Sequence, residues 1–229
     1  MNTLPNDSLL GEEAISPHAE VALDILPEAK SSQTGVSVRY VESPDKEWFV
    51  FRASYCREVK AADYLIESNV YAYVPQKYDM VERDGRHKLV LKSLISNIVF
   101  AYTDPATAKE LVALNSILSF YYNHFETTSE GKNTPLKIAS QEMLNFIRAT
   151  STKSIHLRNV LPGKCRYLDN KEVVVIKGKY TGVKGRVARI AGQQCIVVSL
   201  ANGEFRISTD YIPTPFIRVI GEAKVSSQF

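Results

Sequence analysis

Between Val173 and Val187 the chain sets Gly178, Gly182 and Gly185 among the cations Lys177, Lys179, Lys184 and Arg186. Glycine turns beside lysines are one chemistry for cradling phosphates. A nucleotide-binding loop, however, needs the spacing Gly-x-x-x-x-Gly-Lys-Ser/Thr, and Gly178-Lys179-Tyr180 lacks both the upstream glycine and the hydroxyl that holds magnesium. No Gly-x-Ser-x-Gly elbow and no His-Glu-x-x-His pair occurs, and His18, His87, His124 and His156 stand singly. Cys56, Cys165 and Cys195 are odd in number, far apart and free of CxxC spacing, so they read as reduced thiols. Catalysis has no candidate residue, and neither a metal nor a cofactor is expected. What remains is positive charge suited to a polyanion.

That charge is unevenly spread. Residues 1–44 hold seven acids and two bases, residues 45–149 hold thirteen of each, and residues 150–229 hold thirteen bases and five acids. Two further basic groups lie outside the C-terminal third: Arg83, Arg86 and Lys88 beside an Asp84-Gly85 turn, and Arg57 with Lys60 at the start of a helical pattern. The aromatic cluster Phe120, Tyr121, Tyr122 and Phe125 has the chemistry to stack on bases, yet Ile117 and Leu118 beside it favour a strand packed on helices. No apolar run approaches the roughly 18 residues that span a bilayer, so a cytoplasmic protein with no membrane contact is expected.

These side chains must be positioned by regular elements. The run Trp48-Phe49-Val50-Phe51 predicts a strand buried on both faces, and Val59, Ala62, Leu65 and Ile66 follow at helical spacing up to a left-handed stop at Asn69. Tyr71–Val74 predicts a second strand, Asp84-Gly85 a hairpin turn, and Ile98–Tyr102 a central strand. Asp104-Pro105 caps the next helix, a strand spans Ile117–Tyr122, a polar loop surrounds Gly131, and a third helix begins at Ser140. The order β-α-β-β-β-α-β-α implies an antiparallel sheet with packed helices. Residues 1–44 read as an acidic flexible extension, 45–150 as the α+β domain, 151–167 as a linker, and 168–229 as a small all-β barrel punctuated by glycines and Asn202-Gly203.

The segment Val173–Val187 resembles the KOW motif of NusG-type transcription factors and some ribosomal proteins, with Gly178, Tyr180, Gly182 and Gly185 as its landmarks. Residues 45–150 are similar to the NusG N-terminal domain: Trp48 opens the first strand, a helix starts near Arg57, and Tyr73-Val74-Pro75 precedes a basic hairpin. Arg52–Glu58, Ile95–Tyr102, Phe120–Phe125 and Tyr211-Ile212-Pro213 look like the UpxY-type antiterminators of capsular-polysaccharide operons. Where such domains usually read Phe-Pro-Gly-Tyr or Phe-Pro-Asn-Tyr, this chain has Ile95-Ser96-Asn97-Ile98.

The resemblance implies a non-catalytic factor whose SH3-like barrel follows its N-terminal domain. Leu94, Ile95, Asn97, Ile98 and Phe100 would contact the clamp of RNA polymerase. Arg57, Lys60, Arg83, Arg86 and Lys88 would contact non-template DNA or nascent RNA. Lys177, Lys179, Lys184 and Arg186 would form a basic barrel surface for a ribosomal or other regulatory protein. The competing expectation is a ribosome-associated or RNA-binding KOW protein in which the barrel does the main work.

Overall fold

A computed structural model describes residues 26–127, 129–161 and 165–220. After a short hairpin, β1 (Ala29–Lys30) and β2 (Ser37–Val38), the buried apolar run becomes β3 (Glu47–Ala53). Helix α1 (Glu58–Glu67) follows and stops at Asn69, whose φ of 60° is the left-handed conformation expected there. Next come β4 (Tyr71–Tyr73), the long ribbon β5 (Gln76–Arg83) and β6 (Arg86–Ser93), β7 (Ile98–Thr103) and α2 (Pro105–Leu114). The Asp104 carboxylate accepts from the Ala106 and Thr107 amides, so the helix begins where its capping residue dictates. The domain continues through β8 (Leu118–Phe120), β9 (Tyr122–Thr127), β10 (Asn133–Pro135), β11 (Lys137–Ile138) and α3 (Ser140–Thr150). The polar loop expected around Gly131 is therefore the turn of a second hairpin, since β9 pairs with β10.

The N-terminal sheet is antiparallel in the order β11-β3-β7-β4, with β8 also paired to β3. Register places Val50 opposite Phe100 and Trp48 opposite Tyr102, so these four share one face. All six residues of β7 are buried, as its unbroken apolar run requires of a central strand.

Two expectations need correction. The flexible extension assigned to residues 1–44 lies outside the described residues as far as position 25, but from residue 26 the chain is folded against the domain. Asp63 accepts hydrogen bonds from the Ser32 amide and hydroxyl, each at 2.6 Å, and Glu67 accepts from the Ser31 and Thr34 hydroxyls. Tyr40 stacks on Trp48 with ring centroids 5.7 Å apart. Local composition reads as a polar tail because those partners are supplied by α1 and β3, far along the chain. The linker assigned to 151–167 is also docked: β12 (Arg158–Asn159) joins the C-terminal sheet, Leu157 and Val160 are buried, and residues 162–164 fall outside the description.

The C-terminal part contains β13 (Arg166–Val175), β14 (Lys184–Ile190), β15 (Gln193–Leu200), β16 (Phe205–Ser208) and β17 (Ile217–Val219). Together with β12 they form a six-stranded antiparallel sheet in the order β12-β16-β15-β14-β13-β17. The strands and the Asn202-Gly203 turn match expectation. Closure into an SH3-like barrel is not seen among the described residues, because no pairing joins β12 to β17. One continuous core runs through both parts of the chain and includes Phe100, Phe146 and Ile147 together with Ile196, Phe205 and Ile207.

Candidate functional site

The turn before β7 organises the N-terminal site. Leu94 is pinned by its amide to the Pro75 carbonyl at 2.7 Å, and Asn97 adopts φ 62°, which asparagine tolerates better than most residues. From that position Asn97 makes three contacts. Its side-chain oxygen accepts from the Cys56 amide at 2.8 Å, its carbonyl accepts from the Ala53 amide at 2.9 Å, and its own amide donates to the Glu58 carboxylate. Glu58 is only 4% exposed, so its side chain is committed inward.

This clamp holds the turn Ser54–Cys56, where Tyr55 at φ 58° and Cys56 at φ 53° are consecutive left-handed residues. Such a conformation costs about 1–2 kcal/mol per residue for a side chain with a Cβ and persists only when surrounding bonds over-determine it. The Asn97 contacts, with the Ser54 amide bonded to the Ile117 carbonyl at 2.9 Å, supply that constraint. Arg57 and Lys60 lie beside the turn and are both exposed, as expected for surface cations.

The apolar candidates behave differently. Leu94, Ile95, Ile98 and Phe100 are all buried, and Phe100 is fully so. All four are covered by their neighbours, so none of them lies on an open surface of the folded chain. The Phe100 ring lies 5.7 Å from Phe146 of α3 and 5.8 Å from Phe205 of β16. Beside it, Tyr121 packs on Phe205 at 5.4 Å and donates its hydroxyl to Glu204, while the Arg52 guanidinium sits 4.9 Å over the Tyr121 ring. Burial first, and then the Glu204 carboxylate, push the Tyr121 hydroxyl pKa up. Tyr121 and Phe120 are thus packing residues, whereas Tyr122 and His124 are exposed.

The β5–β6 ribbon has two chemically distinct faces. Register pairs Lys77 with Lys92, Val81 with Lys88 and Arg83 with Arg86, which puts five cations on one face. Asp79, opposite Val90 on that face, is paired with Lys92 at 2.9 Å, and this bond above all holds its carboxyl pKa low. The other face carries Tyr78, Met80, Leu89 and Leu91, each at least 39% exposed. Asp84 at φ 53° and Gly85 at φ 67° give the twisted two-residue turn that such a ribbon needs. The sequence reading found Arg83, Arg86 and Lys88 but missed Lys77 and Lys92, whose period-two alternation with the others was the available signal.

In the C-terminal sheet the basic residues are partly committed. Lys179 pairs with Asp210, whose carboxylate also accepts from Ser154 of the linker at 2.8 Å. Burial opposes ionisation of Asp210, but the bonds from Lys179 and Ser154 outweigh it and its pKa is lowered. Arg186 stacks over the Tyr167 ring at 4.4 Å, and the Lys184 backbone exchanges two hydrogen bonds with the Asn145 side chain of α3. Lys177 and Arg189 stay exposed. Tyr180 is buried with its hydroxyl 3.3 Å from Thr152, and burial pushes its pKa up to about 12. Gly178 and Gly182 have the positive φ expected of turn glycines, but Gly185 does not. A Cβ on Gly185 would meet Ile196 Cγ2 at 2.7 Å, so this glycine is required by close approach to β15.

Among the described residues no cluster of His, Cys, Asp or Glu is arranged to hold a metal ion, and no helix is long and apolar enough to cross a membrane. No curated protein matches the chain. Residues 46–147, the span that carries the Tyr55 turn, the two-faced ribbon and buried strand β7, match the family model of the transcription termination factor nusG, and this match supports a NusG-type factor.

Proposed function

We propose that this protein is a transcription elongation and antitermination factor that binds RNA polymerase through its N-terminal domain and raises processivity without catalysis. Its resemblance to UpxY-type antiterminators favours polysaccharide-biosynthesis operons as targets. The observation that carries the reading is the nusG match over residues 46–147. The ribbon adds support, since cations lined along one face suit the phosphates of non-template DNA or nascent RNA. Leu94, Ile95, Asn97, Ile98 and Phe100 are the proposed polymerase contacts. Because Phe205 covers Phe100, engagement at that residue requires the C-terminal sheet to move aside. That sheet, read as a KOW barrel, would then be available to a ribosomal or other regulatory protein. A factor that prefers the processive state of the polymerase shifts the population toward it by its differential affinity.

The test is co-elution with core RNA polymerase from the host, together with read-through of a terminator in a purified transcription reaction. Co-elution and increased read-through are expected. The combined variant Arg83→Gln, Arg86→Gln, Lys88→Gln should keep co-elution and lose most of the stimulation. Absence of both co-elution and read-through in the wild type overturns the proposal.

A further inference from the structure

Tyr55 is 85% exposed, more than any other large apolar or aromatic side chain among the described residues. It is not a loop residue left loose. Its left-handed turn is held by Asn97 and Ile117, and Asn97 is itself fixed by the inward-facing Glu58, so the ring is kept away from the core by a rigid support. The Arg57 guanidinium lies 5.5 Å from the ring centroid. Lys60, three residues further on α1, falls on the same side of the helix as Arg57. Neither cation is in an ion pair among the described residues, and the acid between them, Glu58, is buried. The surface around Tyr55 is therefore a fixed aromatic plane bordered by two uncompensated positive charges.

We propose that Tyr55 is a stacking platform for one unpaired nucleobase, with Arg57 and Lys60 holding the flanking phosphates of the same single strand. Every base has a π-face, so an aromatic ring binds it without sequence preference, and adjacent cations track the backbone. Backbone strain stored beneath an exposed ring is explained by the need to present that ring in one orientation. This inference rests on the nucleic-acid reading of Arg57 and Lys60 above. DNA and RNA strands share the recognised chemistry.

The test uses the full-length protein and single-stranded oligonucleotides of about twelve bases, in DNA and RNA versions of one mixed sequence containing 2-aminopurine. Anisotropy reports affinity, and quenching of 2-aminopurine reports stacking. Tyr55→Asn removes the ring yet suits the left-handed backbone, and Tyr55→Phe keeps the ring. Tyr55→Asn is expected to weaken binding about 5- to 100-fold and abolish the quench, with an unchanged circular dichroism spectrum and an unchanged salt slope. Tyr55→Phe should bind like the wild type. Arg57→Gln and Lys60→Gln should each lower the salt slope by about 0.7 and leave the quench in place. Preference for one oligonucleotide identifies the strand as DNA or RNA. Wild-type binding that Tyr55→Asn leaves intact, quench included, overturns the stacking role alone. Failure of the wild type to bind either strand overturns the nucleic-acid reading with it.

Discussion

Phe100 of β7 and Phe205 of β16 meet edge to face, with ring centroids 5.8 Å apart and planes at 86°, although α3 and the whole linker separate them in the chain. Tyr121 and Phe146 complete the contact, so the core of the N-terminal domain is closed by a residue of the C-terminal sheet. Edge-to-face pairs contribute about 0.5–1.5 kcal/mol beyond the area they bury. A double-mutant cycle with Phe100→Leu and Phe205→Leu should return a coupling energy in that range by urea denaturation. Zero coupling would mean that the edge-to-face geometry adds nothing beyond the area the two rings bury.

Gly182 should tolerate asparagine better than Gly185. Gly182 has φ 84° and its added Cβ would touch only the Arg148 side chain, at 3.3 Å, so Gly182→Asn should cost under about 1 kcal/mol. Gly185 has an ordinary φ but faces Ile196 and the Val197 backbone. Gly185→Asn and Gly185→Ala should both cost about 1–3 kcal/mol, because the β14–β15 pairing must open to admit them. Thermal unfolding of the three variants gives the comparison.

Asp104 should make the stability of α2 depend on pH. Its pKa is lowered, first by the Thr107 amide and then by the Thr107 side chain and the Ala106 amide. A carboxylate whose folded pKa is depressed contributes fully above its unfolded value near ~3.9 and loses that contribution as pH falls through the lower folded value. Asp104→Ala should cost about 1 kcal/mol at neutral pH, with the difference from wild type shrinking at the acid end. Asp104→Asn should retain the cap and lose the pH dependence. Guanidinium titrations from acid to neutral pH read both effects.

Asp210 joins Lys179 of the C-terminal sheet to Ser154 of the linker while its own side chain is 13% exposed. Asp210→Ala takes the acceptor from the Ser154 hydroxyl and leaves Lys179 only the long contact to Ser154 Oγ at 3.4 Å, and should cost about 1–3 kcal/mol. If the linker is held there, limited proteolysis should cut the variant faster between residues 151 and 161. An unchanged rate would place the restraint in Leu157 and Val160 instead.

What could be read from the chain alone was whatever depends on neighbours a few residues away. The Asp104 cap, the left-handed stop at Asn69, the Asp84-Gly85 turn, the fully buried β7 run and the start of α3 at Ser140 all follow from local chemistry. The charges at Arg57, Lys60, Arg83, Arg86 and Lys88 were visible for the same reason, and they stand exposed. Tertiary structure alone decided what distant partners do. Residues 26–44 look like a polar tail until Asp63, Glu67 and Trp48 supply their contacts. Phe100 is closed off from solvent only because Phe146 and Phe205, both distant in the chain, cover it. Tyr55 gave no signal, because exposure and left-handed strain belong to a turn that Asn97 holds from outside the segment. Period and capping act within a turn or a strand, whereas burial is set by whichever surface arrives from elsewhere in the chain.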